Sequence, residues 1–178
     1  FIDQPSHPGI AHYIIHNYDY PELAHLALPT ARRYANIAPA SAHAQHMPSH
    51  IFTRLGLWEE SISSNLNSTS SAKCYAEQVE MNGNWDEEIH GVDYLVYAYL
   101  QLGEINEAKK LVDYLKSIKK FNNIGTKAAY PTAAIPARFY LETRQWDMAS
   151  KLEMSLKDFP SIKFPWSNGI IHFTRILG

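Results

Sequence analysis

A single cysteine, Cys74, stands in a chain of 178 residues. No intrachain disulfide can form and no cysteine-based zinc site can be built. Charge of one sign is also lacking, since 16 Lys and Arg against 18 Asp and Glu leave a net charge of -2. A nucleic-acid footprint or a polybasic membrane anchor needs a basic excess, so neither partner is expected. Apolar runs are interrupted well short of the ~20 residues that span a bilayer. Glycine is sparse, with 8 in all, and neither the Rossmann nor the P-loop spacing occurs, which excludes nucleotide sites of those kinds. The period-two alternation of a half-buried strand is missing too. The first residue is Phe1 rather than Met, and "FIDQPSHPG" reads as mid-chain sequence. Residues 1–178 are therefore expected to be a single helical domain taken from a longer chain. Any targeting signal would lie outside it, leaving a cytoplasmic or periplasmic location open.

What is present is apolar material, 46% of the chain, enough for a core and against disorder. Three segments share a pattern: "RLGLWEESISSN" (54–65), "QLGEINEAKKLV" (101–112) and "TRQWDMASKLE" (143–153). Each has a Gly or polar turn, then a large residue (Trp58, Ile105, Trp146), then a small one three positions on (Ser61, Ala108, Ala149). In a helical hairpin the large residue is expected to fill the gap between the helices, and the small one to let them approach. Gly56 and Gly103 suit the left-handed position that ends a helix.

This pattern resembles the tetratricopeptide repeat, on Leu55-Gly56, Trp58, Leu102-Gly103, Ala108, Trp146 and Ala149. The small residues are spaced 47 and 41 positions apart, against a repeat of roughly 34, so the helices or loops are longer than the consensus. The resemblance implies an all-α fold, a right-handed superhelix of stacked antiparallel hairpins around one continuous core. It also implies a groove that binds a protein or peptide, and a binding or scaffold module is the leading functional expectation. The C-terminal "KFPWSNGIIHF" is expected either to cap the last hairpin or to leave apolar surface for self-association.

Periodicity and punctuation predict helices over 9–18, 21–37 with a kink at Pro29, 40–55 disturbed at Pro48, 58–78, 86–102, 105–120, 131–143, 146–157 and 166–176. Asp86 is the expected N-cap of its helix. Residues 121–131 read as a loop. Residues 158–169 are too rich in Pro and turn formers for a helix.

Histidine is the most informative residue. Seven of the nine lie in the first 50 positions: His7, His12, His16, His25, His43, His46 and His50. His12 and His16 are four apart, and His43, His46 and His50 are spaced three and four. Each set therefore makes one helical stripe. Packing of the helices at 9–18, 40–55 and 86–102 would bring His12, His16, His43, His46, His50 and His90 together, with Asp93 beside His90. Imidazole is the usual ligand of zinc, copper, iron and nickel, and an i, i+4 pair can chelate one ion. The rival functional expectation is thus a metal-binding protein or metalloenzyme. A histidine on an inner helix face is as commonly a hydrogen-bonded core residue, which is the bland alternative. A zincin is excluded because Tyr13 follows His12 where the general base Glu would stand. The phrases "HPGIAHYIIHNYD", "HAQHMPSHIF" and "IHGVDYLVYAYLQ" are similar to a group of uncharacterised bacterial repeat proteins, which implies a shared His-lined feature and no particular activity.

Other residues read more simply. Tyr94 and Tyr97 share a helix face, either as core or as the lining of a groove. Arg54 is a cation at a helix end. Lys116, Lys119 and Lys120 form a solvated last turn. The Ser- and Asn-rich stretch 61–71 has no strand-to-helix elbow to present a hydrolase nucleophile.

Overall fold

A computed structural model describes residues 3–156 and 158–178, and all regular structure among them is helical. Three hairpin turns set the frame. Each ends a helix with a residue in the left-handed region: Gly56 at φ 69°, Gly103 at φ 75° and Arg144 at φ 56°. The following residue donates its N–H five positions back: Leu57 to Phe52 O (2.9 Å), Glu104 to Tyr99 O (2.8 Å) and Gln145 to Tyr140 O (2.8 Å). This bond satisfies a carbonyl that the helix end leaves open. The next helix places Ser61, Ala108 or Ala149 at the crossing, each 0% exposed. The large residues do not plug the gap as expected. Ile105 and Trp146 are exposed and Trp58 only half-buried, so the small residues alone set the approach.

The order is α1 (Pro8–Tyr18), α2 (Ala24–Ile37), α3 (Ala42–His46), α4 (Pro48–Arg54), α5 (Trp58–Gln78), α6 (Asp86–Gln101), α7 (Ile105–Ser117), α8 (Thr126–Glu142), α9 (Trp146–Ala149) and α10 (Pro165–Leu177). Residues 21–23 form a turn rather than the first turn of α2. The predicted helix 40–55 is two pieces, because Pro48 has no N–H to return to the preceding turn. Met47 between them keeps helical angles (φ -50°, ψ -38°), so the break removes a hydrogen bond without changing the direction of the chain. Asp86 is the first helical residue, not the cap, and Trp85 holds the cap position without a side-chain bond.

Two boundaries differ more. The predicted loop 121–131 is partly helix, since α8 begins at Thr126 and runs through Pro131 and Pro136. The packing of its buried alanines, Ala128, Ala129, Ala133, Ala134 and Ala137, offsets the two lost bonds. The helix predicted over 146–157 stops at Ala149, where Gly178 at the end of α10 abuts the backbone of Trp146 to Ser150. Leu152 and Leu156 are buried from irregular backbone instead. Lys119 and Lys120 lie beyond the end of α7, and Lys116 donates to the Tyr140 hydroxyl (2.7 Å).

The buried apolar side chains do not make the single continuous core expected. One cluster joins α1 to α4 through Ile15, Tyr34, Met47, Ile51 and Phe52. A second joins α6 to α10 through Ile89, Val96, Leu115, Ile135 and Phe139. Between them lies α5, whose inner face is polar: Ser61, Ser64, Asn65, Ser68 and Thr69 are all buried. Ser64 and Ser68 donate to the carbonyls of Gln45 and Ala42, which fastens α5 to α3. On its other side α5 meets α6 closely. A Cβ on Gly91 would stand 2.9 Å from Thr69 Cγ2, so any larger residue there would have to push Thr69 aside. No helix among the described residues is long and apolar enough to cross a membrane.

Candidate metal centre

The polar seam between the two apolar clusters is where the histidines meet. α1 supplies His12 and His16, α3 His43 and His46, α4 His50, and α6 His90. Because Met47 stays helical, His46 and His50 keep their i, i+4 relation across the Pro48 break. The six rings form one array. Centroids are 4.6 Å apart for His12 and His16, 5.1 Å for His12 and His43, 6.2 Å for His43 and His46, 5.0 Å for His46 and His50, 4.2 Å for His46 and His90, and 5.7 Å for His16 and His50. Within it two triads, His12–His16–His43 and His46–His50–His90, each have ligand atoms within 4.8 Å of one another and can hold a metal ion. All six expected residues thus come together. His7 instead caps α1, accepting from the Ile10 N–H (3.3 Å), and His25 is exposed.

The inner triad is oriented from behind. Asn65 Nδ2 donates to Ser61 O (2.8 Å), which turns its Oδ1 toward His46 Nδ1 at 2.7 Å. His46 must therefore carry its proton on Nδ1 and leave a lone pair on Nε2. His50 Nδ1 lies 2.8 Å from Asp19 Oδ2. Burial alone would raise the Asp19 carboxyl, but its bonds to His50 and Arg54 (Nε to Oδ1, 2.7 Å) outweigh that and hold it low. An ionised carboxylate only accepts, so His50 also carries its proton on Nδ1. The two free nitrogens, His46 Nε2 and His50 Nε2, then face each other at 3.1 Å. Two imidazole lone pairs at that distance repel unless a shared proton or a metal ion sits between them.

Electrostatics keep four of the six rings ready to donate lone pairs. His46 is pushed well below the usual imidazole range, first by burial and then by His90 and His50. His90 is lowered to about 4, again by burial first, with His50 and Lys127 adding to it. His12 and His16 are lowered by burial and by their histidine neighbours. The outer triad has a carboxylate behind it: His43 Nδ1 and Glu87 Oε2 are buried 3.6 Å apart, each without a hydrogen-bond partner. Burial would raise Glu87, yet His43 and Lys127 together hold it at about 2.

Some expectations need correcting. Asp93 does not join His90 as a ligand but accepts from Arg138 Nη1 (2.6 Å). Arg54 is not merely a helix-end cation, since it grips Asp19. Tyr94 and Tyr97 line a cavity rather than filling the core. Asp19, Asn65 and Glu87 went unrecognised in the sequence. Asp19 stands three residues after His16, the same spacing that drew attention to His90 and Asp93, and that signal was available. Comparison with protein-family models, with curated proteins and with solved structures found no match to the chain.

Proposed function

We propose that the chain is a metalloprotein whose inner triad, His46, His50 and His90, binds a transition-metal ion, with His12, His16 and His43 forming a second, more open site. The observation that carries this is the pair of opposed Nε2 atoms 3.1 Å apart. Two nitrogens on one tetrahedral ion, each at about 2.0–2.1 Å, stand roughly 3.3 Å from each other. The backing of His50 by Asp19 and of His46 by Asn65 is the outer-shell arrangement that fixes metal-binding imidazoles. An all-imidazole set suits zinc, copper, iron or nickel and disfavours magnesium or calcium.

The test is zinc and cobalt uptake by untagged protein, followed at equilibrium. The wild type takes up at least one ion per chain, and His46→Ala loses the tightest. Uptake that is absent, or a tightest ion that is retained in His46→Ala, contradicts the reading. A shared proton would then be the cation between His46 and His50.

For the scaffold, a tetratricopeptide-like array is the finer reading, supported by the three turns with equal backbone geometry. The expected protein- or peptide-binding role rests on that likeness alone. It predicts partner binding indifferent to replacement of His46 and His50.

A further inference from the structure

We infer that the cavity beside the inner triad is a binding site for a small aromatic carboxylate that takes the open position on the bound ion; this rests on the metal reading above. The cavity is about 280 Å³, just under the usual range of small-molecule sites. His50 and His90 form part of its wall, whereas His46, 1% exposed, closes the triad from behind. We place the free side of an ion held by these three nitrogens toward the cavity, where the Tyr94 hydroxyl stands 3.3 Å from His50 Nδ1. Three protein ligands and one open position are the mark of a zinc site that exchanges ligands rather than a structural one.

Charge selects an anion. Arg54 and Arg138 reach this space, and Asp19 and Asp93 pair with them one to one. The four charges cancel, so a divalent ion leaves the cavity with net positive charge. Arg54 spends only Nε on Asp19. Its side chain is 45% exposed, so its other N–H groups stand at the mouth, in the fork geometry that suits a carboxylate. The body of the ligand is set by Tyr94 and Tyr97, whose rings line the same space. The Tyr97 ring is held by the Arg138 guanidinium 5.1 Å from its centroid. Offset or edge contacts with such rings favour an aromatic guest.

The experiment uses protein saturated with cobalt(II), whose visible bands respond to a change in the ion's ligands, and benzoate as the probe. Benzoate is expected to shift the bands saturably, with benzamide inert at the same concentration. Arg54→Gln should weaken benzoate at least about tenfold with cobalt still saturating, and Arg54→Lys should recover part of the loss. Tyr97→Ala, on another wall of the cavity, should weaken benzoate but not acetate. It serves as the second variant if Arg54→Gln does not fold. Cobalt bands that form and lose the tightest ion's contribution in His46→Ala, yet do not respond to benzoate or respond equally in Arg54→Gln and Tyr97→Ala, overturn the ligand site and leave the metal reading standing. Absence of any cobalt bands in the wild type overturns both.

Discussion

Asp19 carries more of the account than any single histidine, because it decides which nitrogen of His50 is free. It is held by two bonds, to His50 and Arg54, and it fixes one of the two opposed lone pairs. Asp19→Ala is therefore expected to lower zinc affinity by about 10- to 100-fold, the usual effect of losing an outer-shell partner, while His50 itself remains in place. Titration against a chromophoric chelator measures this, and an unchanged affinity would mean that the carboxylate does not orient the ring. The imidazole stripes themselves were legible, since spacings of three and four survive the Pro48 break. The partner of Asp19 was harder to see, because its bond to His50 spans 31 residues and the spacing of Asp19 from His16 encodes no contact of that range. Asn65 was hidden for another reason. In a run of Ser and Asn it looks like a solvated face, and only the polar seam between two apolar clusters makes that face the buried one.

At the level of elements, what was readable was what is local. The turns at Gly56 and Gly103 follow from the conformational freedom of glycine and the bonds that close a helix end. The third turn uses Arg144 at φ 56°, a position where a side chain is strained by about 1–2 kcal/mol. Glycine there loses about 0.5–1 kcal/mol to chain entropy. Arg144→Gly is thus expected to stabilise the fold by about 0.5–1 kcal/mol, a rise of roughly 1–4 °C in Tm for a chain of this size. A fall in Tm would show that Arg144 makes a contact worth more than its strain. The start of α8 and the end of α9 were not readable, because tertiary packing decides both. Pro131 would ordinarily mark a helix start, yet the alanines before it are already buried. The continuation of α9 is replaced by the approach of Gly178 and the burial of Leu152 and Leu156. α10 packs on α8 and α9, and its outward face leaves Trp166, Phe173 and Ile176 exposed.

For the whole molecule, the seam has a consequence for stability. His46 and His90 are neutral when folded, chiefly through burial, whereas a free imidazole takes its proton near 6.5 and His90 only at about 4. Between those values the unfolded chain binds more protons than the folded one. Stability of the metal-free protein should therefore be level above about pH 6.5 and fall as the pH drops toward about 4. An ion at one hundred times its Kd adds about 2.7 kcal/mol, and protons compete with it for the same nitrogens, so the gain should shrink over the same range. Denaturation curves at pH 5 and 7.5, with and without zinc, check both statements, and equal Tm values at the two pH values without metal would contradict the burial of these rings. The all-α class and the meeting of the six histidines were visible in advance. The division of the core was not, because residue-type patterning cannot tell a polar face turned to water from one turned inward. On the proposed function, a cation other than a proton belongs between His46 and His50. The most direct test is a crystal grown from zinc-equilibrated protein, with data collected on either side of the zinc absorption edge. An anomalous peak is expected about 2.0–2.1 Å from both Nε2 atoms, within reach of His90. A map with no peak there, and a direct hydrogen bond between the two rings, would contradict it.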